Sequence, residues 1–399
     1  MKQALVNIFN PRMIVAAMAA MMLLALAGCQ GGIDDAFPKA QAPVPEKLVK
    51  RMKAKDMDPA SPILIRIFKE EDKLEVWKQK RNGRFDLLEE YEICKWSGQL
   101  GPKFKEGDRQ APEGFYTITR GQMNPKSSYY LSFNIGYPNR YDRSHGRTGT
   151  HLMVHGACSS AGCYSMTDER IAEIYALARE SFDGGQKSFQ VQAYPFRLTA
   201  ENLAKHADSQ HLEFWKMLKE GFDQFELTKM EPKVDVCEKR YVFNWLEEEG
   251  RSFSSSDACP PATMNPNLLS AYASYRQKED QTFRKVMSRE IARARLAGKD
   301  FANLGPSSLT IVAKGSEQLP PPTPAPEPEP QPEPETAALT DAAPPQVGTS
   351  QAAGETAGAP VVVSDQGGGP SSEVAASGEP ATVRKLPPTI DVIPTPAER

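Results

Sequence analysis

Two residues of this chain have the types and spacing for nucleophilic chemistry. They are His155 and Cys163, within His155-Gly156-Ala157-Cys158-Ser159-Ser160-Ala161-Gly162-Cys163-Tyr164. The thiolate is the attacking form of cysteine, and a nearby imidazole is the base that generates it, so the thiol is expected to be acidified by His155. Gly162 lets the backbone turn closely ahead of the sulfur. The amides of Gly162, Cys163 and Tyr164 would then face a developing oxyanion, and Ser160 would hold the turn through its hydroxyl. Two other readings compete. Cys163 could bridge to Cys158, or His155, Cys158 and Cys163 could hold zinc. The zinc reading lacks a CxxC pair and a clear fourth ligand, so no metal is expected. His151 lies four residues before His155 on the same predicted strand, which would place both side chains on one side. His145 is a weaker candidate.

Such a pair needs a sheet to hold it. From Ile63 the chain reads as short strands, at 63–68, 74–77 (after the polar break Glu70-Glu71-Asp72), 85–96, 114–118, 130–133 and 151–154. Many short strands at close spacing predict a β-rich sandwich or barrel. A helix begins near the N-cap pair Thr167-Asp168, with Ile171, Ile174, Tyr175 and Ala178 as its apolar stripe, and 189–196 returns to a strand. Beyond Thr199, Leu212, Trp215, Leu218 and Phe222 fall three or four apart, and 272–297 is a charged helical stretch. The expected fold is β-rich α+β, with a catalytic domain at 61–199 and an α-helical extension at 200–315 packed on it.

His155-Gly156 followed by Ser160-Ala161-Gly162-Cys163 resembles the signature of the L,D-transpeptidase (YkuD-type) superfamily, a His-Gly and then Ser-x-Gly-Cys. The pattern is closest to the YafK-like branch. Tyr91-Glu92-Ile93-Cys94-Lys95-Trp96-Ser97-Gly98, Leu100-Gly101-Pro102-Lys103, Glu106 to Gly114, Asn134 to Asn139 and Tyr141 to Gly149 agree with that branch in order. The resemblance implies a catalytic sandwich acting on peptidoglycan stem peptides without a cofactor. Cys163 would attack a diaminopimelate carbonyl, His155 would move the proton, and a thioester would pass to an amine or to water. Hydrolysis of a peptidoglycan–protein bond is slightly favoured, since this branch is linked with releasing wall-linked lipoproteins. A non-catalytic wall-binding lipoprotein is the alternative. Three features depart from the family. The gap between the two motif halves is short, Ala161 stands where many members have a second His, and Ser165 where many have an Arg that grips the donor. Arg140, Arg143 and Arg147 are candidates to replace that grip by bidentate pairing, and Tyr164 is a further candidate for substrate binding. The competing reading of the three arginines is a solvated basic loop.

The remainder concerns location. The chain has 399 residues and a net charge of −3, which offers no basic field for nucleic acid. Lys2 and Arg12 precede an apolar run from Met13 to Ala27, too short to span a membrane comfortably. Residues 1–28 therefore read as a signal peptide. Leu26-Ala27-Gly28-Cys29 resembles a bacterial lipobox, which implies lipidation at Cys29 and a membrane anchor. By resemblance to enterobacterial lipoproteins, Gln30 rather than Asp after it implies the outer membrane, facing the periplasm. Residues 29–60 read as a flexible tether, with a typical reach of about 30 Å and a maximum of about 100 Å. Export permits disulfides. Of six cysteines, Cys237 and Cys259 are the preferred bridge, contributing about 3 kcal/mol in the chain-entropy model. Cys94 and Cys158 then pair or stay reduced. Residues 316–399 are rich in Pro, Ala and Glu and are expected to be disordered.

Overall fold

The computed structural model describes residues 38–248, 250–296 and 310–311. The signal peptide, Cys29 and the 316–399 tail lie outside the described residues.

Two sheets form the catalytic part. The first has the order β3-β2-β1-β9-β4, built from β1 (Ile63–Phe68), β2 (Lys73–Gln79), β3 (Phe85–Glu92), β4 (Gly114–Thr119) and β9 (Ser188–Tyr194). Its pairs are antiparallel except β1 with β9, which run parallel, Ile65 opposite Val191. The second has the order β5-β6-β7-β8, from β5 (Met123–Asn124), β6 (Ser132–Asn134), β7 (Met153–His155) and β8 (Tyr164–Ser165). Ile65, Ile67 and Val191 of the first sheet share one buried cluster with Phe133 and Val154 of the second. A helix, Asp168–Asp183, contributes Ile171, Ile174 and Leu177 to that cluster. Its N-cap, Thr167, accepts the N–H of Arg170, as the sequence predicts.

The tether expectation is corrected at its distal end. Residues 38–60 are folded, and a helix, α1 (Glu46–Ala54), buries Leu48 and Met52 against the core. Four basic side chains crowd this helix, so only one i, i+4 apolar pair signals it. The further helices are α2 (Arg140–Ser144), α3 (Asp168–Asp183), α4 (Ala200–Lys205), α5 (Leu212–Thr228) and α6 (Pro266–Leu296).

Helices α4 to α6 cover the outer face of the first sheet, which is why every residue of β1 is buried. Arg66 on that face is sealed under Phe68, Tyr194, Phe222 and Phe225 and is paired with Glu226 at 2.5 Å. The extension is not purely helical. It holds a hairpin of β10 (Val234–Cys237) and β11 (Arg240–Phe243), and a short pair, β12 (Leu246–Glu247) with β13 (Ala262–Thr263). Both disulfides are present, Cys237–Cys259 and Cys94–Cys158.

Candidate active site

The register of β7 and β8 assembles the site. These strands are parallel, with Val154 opposite Tyr164 and His155 opposite Ser165. Parallel neighbours ordinarily need a crossover of about a dozen residues or more, yet 156–163 makes the return alone. Ala157 (φ +60) and Cys158 (φ +43) therefore take left-handed conformations, and Gly162 sits at φ +131. The first two cost about 1–2 kcal/mol each. The Cys94–Cys158 bridge and the bond from Ala157 N–H to Asp168 at 2.8 Å hold them there. Gly156 is fixed by proximity, since a Cβ on it would lie 2.9 Å from the Tyr129 carbonyl and 2.5 Å from Asp168.

This return places Cys163 beside Met153, whose N–H reaches Cys163 Sγ at 3.4 Å. His155 follows two residues later on the same strand. Both line one cleft of about 700 Å³, walled by 103–109, by 124–129 and by 150–153. His155 is buried, and its Nδ1 lies 2.6 Å from the Gly156 carbonyl. A carbonyl only accepts, so Nδ1 carries the proton and Nε2 keeps its lone pair. Tyr129 covers the ring at 4.7 Å between centroids. Burial lowers the His155 pKa below the ordinary imidazole value. Burial also pushes the Cys163 thiol up, and the Met153 N–H and the Lys103 charge offset this only in part. The expectation of an acidified thiol is thus corrected. The sulfur points toward the His151 carbonyl at 3.8 Å, and burial disfavours the charged form of both the thiol and the His155 imidazole that lines the same cleft.

Ser160 closes the turn. Its Oγ donates to the Cys163 carbonyl at 2.7 Å and accepts the Cys163 N–H at 3.1 Å. Gly162 N–H goes to Ser97 Oγ at 2.9 Å. The expected oxyanion cradle is therefore not presented: two of its three amides are held by hydroxyls. Cys158 is bridged to Cys94 and Cys163 is free, which removes both the Cys158–Cys163 bridge and the zinc reading. His151 precedes β7 on a loop (φ +54), and still lines the cleft. His145 caps α2 and bonds Tyr141, away from it.

The model of the L,D-transpeptidase catalytic domain (YkuD) matches residues 65–187. YafK of Escherichia coli (strain K12), provisionally named an L,D-transpeptidase, is 48% identical over 182 residues, which cover 46% of this chain and 74% of that protein. The same figures hold for YafK of Escherichia coli O157:H7. The chain belongs to the L,D-transpeptidase family. It falls in the YafK-like branch and has the family's β-rich α+β fold. Among solved structures, the helical cell shape determining protein Pgp2 of Campylobacter jejuni is similar over 51% of this chain and 85% of its own, at 17% identity and a TM-score of 0.28. Bd1075 of Bdellovibrio bacteriovorus is similar over 44% and 76%, at 16% identity and a TM-score of 0.24.

Within this L,D-transpeptidase, Ser165 does not face the cleft. It is fully buried and donates to the Lys95 carbonyl at 2.7 Å. The three arginines proposed to replace the missing Arg are not in the cleft either. Arg140 pairs with Asp235 at 3.3 Å, and Arg143 donates to the Pro138 carbonyl. Arg147 is buried, paired with Asp142 at 2.9 Å and stacked on Tyr141 and Phe214. Tyr164 is buried as well, its hydroxyl donating to the Pro112 carbonyl at 2.6 Å. The cations that do line the cleft are Lys103, Arg109 and Lys126. Lys103 and Arg109 lie in segments that resemble the family, 100–103 and 106–114, but nothing in their spacing marks either as a cleft residue.

Proposed function

We propose that the chain modifies peptidoglycan stem peptides through a thioester on Cys163. The observation that carries this reading is a free cysteine and a His155 with its Nε2 lone pair available, in one cleft of a family-matched domain. As Cys163 Sγ bonds to the carbonyl carbon at diaminopimelate, its proton passes to Nε2. His155 returns that proton to the leaving amine, and a second nucleophile then resolves the thioester. Water is the favoured acceptor, releasing a wall-linked protein or a terminal residue, because Cys163 is only half-buried and reachable by solvent. Transfer to an amine has support from the cleft's size, which far exceeds one water.

The test offers the protein peptidoglycan fragments that carry a linked lipoprotein peptide, together with tetrapeptides and excess amine, and identifies products by mass spectrometry. Released peptide without new cross-links is expected. Efficient formation of diaminopimelate-to-diaminopimelate dimers would reassign the acceptor to an amine. Cys163→Ala should lose all turnover while keeping its melting temperature, and turnover by that variant would end the mechanism.

The lipobox-like Leu26-Ala27-Gly28-Cys29 supports a lipid anchor at Cys29, placing the enzyme in the periplasm on the outer membrane. Cys29→Ala should abolish lipid labelling, and a labelled, processed variant would contradict the anchor.

A further inference from the structure

Once Arg140, Arg143 and Arg147 are placed elsewhere, the cleft needs another group to hold an anionic peptide. We propose that Arg109 is the carboxylate grip of this site, binding a free carboxylate on the acyl side of the attacked bond. The proposal rests on the stem-peptide reading above and adds the residue that selects for charge.

Four observations carry it. First, Arg109 lines the same cleft as Cys163 and His155. Second, it abuts the nucleophile's turn: its Cα and carbonyl carbon lie 3.9 Å from where a Cβ on Gly162 would stand. Third, its backbone is held in place. Asp108 accepts the N–H groups of Phe104, Lys105 and Gln110 at 2.9, 3.0 and 3.0 Å and also binds Lys103 Nζ. That knot fixes Arg109 at φ +53, in the left-handed region rarely occupied by non-glycine residues. Fourth, Arg109 is exposed and its side chain has no hydrogen bond or ion pair among the described residues. Lys103, by contrast, is occupied by Asp108.

The chemistry fits the position. A guanidinium offers two parallel N–H donors that match a carboxylate, which fixes orientation as well as adding attraction. A lysine ammonium supplies charge without that fork. A carboxylate held next to Cys163 would set the carbonyl within reach of the sulfur, the positioning such catalysis needs.

The experiment measures both binding and turnover. Two stem tetrapeptides are compared, one with the diaminopimelate carboxylate free and one with it converted to the carboxamide. In the Cys163→Ala background, calorimetry should show the carboxylate peptide binding at least about tenfold tighter than the amide. Adding Arg109→Ala should bring that ratio to near one, and Arg109→Lys should restore only part of it. In the protein with Cys163 intact, Arg109→Ala should lower kcat/KM for the carboxylate peptide by about 10- to 100-fold and leave the amide peptide little changed. A carboxylate preference that survives Arg109→Ala in both assays would overturn the proposal while leaving the enzyme reading intact. Arg109-dependent binding without any turnover by the intact protein would uphold the grip and remove the reading on which the reaction rests.

Discussion

Burial sets the protonation of both candidate catalytic groups, and this gives the site a definite pH signature. His155 titrates below the ordinary imidazole value of about 6.5, so its neutral, basic form is fully present at and above neutral pH and is lost as pH falls through its lowered pKa. Cys163 titrates above the ordinary thiol value, so near neutrality the sulfur is a thiol whose proton must leave during attack. We expect kcat/KM on a stem peptide to rise along one acid limb with its midpoint below about 6.5, then stay flat through pH 8. A fall between pH 7 and 9, which an imidazolium–thiolate pair requires, would contradict this. At this scale the sequence was readable where chemistry dictates residue type. His155, Gly162, Ser160 and Cys163 stand together because a nucleophile needs a base and a tight turn. Arg109 was not legible, because its meaning depends on Asp108 closing a loop beside Gly162. Conversely, a cluster of three arginines looks like a binding patch until Asp142 and Asp235 are seen to pair with two of them.

The return from β7 to β8 is the element on which the site depends. Its two consecutive left-handed residues lie next to or at one end of the Cys94–Cys158 bridge, which spans 64 residues of sequence. In the chain-entropy model a bridge of that span contributes about 4 kcal/mol. Removing both sulfurs with Cys94→Ala and Cys158→Ala is expected to lower stability by up to about that amount. It should also lower kcat/KM by about 10- to 100-fold, because the released loop lets Ser160 and Cys163 drift. Denaturant unfolding and steady-state assays read the two effects, and an unchanged kcat/KM would show that the loop holds its shape without the bridge. Long, regular elements such as α3 and α5 were legible because their apolar residues recur at helical spacing. The hairpin β10–β11 was not. Its two turn residues, Glu238 and Lys239, both have positive φ, the geometry that Asn-Gly normally announces. Here contacts to Asp257 and Ser255, along with the Cys237–Cys259 bridge, impose it instead.

Across the whole molecule, the extension acts as part of the catalytic core. Trp215 of α5 donates to Glu113 at 2.9 Å, and Glu113 is paired with Lys69 at 2.8 Å, both buried. Lys69 also donates to the carbonyls of Gln99, Gly101 and Ala111, so the loop that walls the cleft hangs from this group. Truncation after Leu198 would bare Phe68, Phe115 and Tyr194, strand Arg66 without Glu226 and leave Glu113 a donor short. Each stranded buried polar group costs about 1–3 kcal/mol or more. The shortened chain is expected to aggregate or melt far below the full chain by calorimetry. A soluble fragment with a near-normal melting temperature and intact activity would refute the dependence. The Trp215 contact also bears on how such genes can be shuffled. The match to the catalytic-domain model ends at residue 187, while a buried partner of the cleft wall arrives at residue 215. A chimera that swaps 65–187 between distant members would import a loop whose anchor stayed behind in the donor. An exchange that keeps the fold is therefore expected to carry Trp215 along with the 65–187 segment.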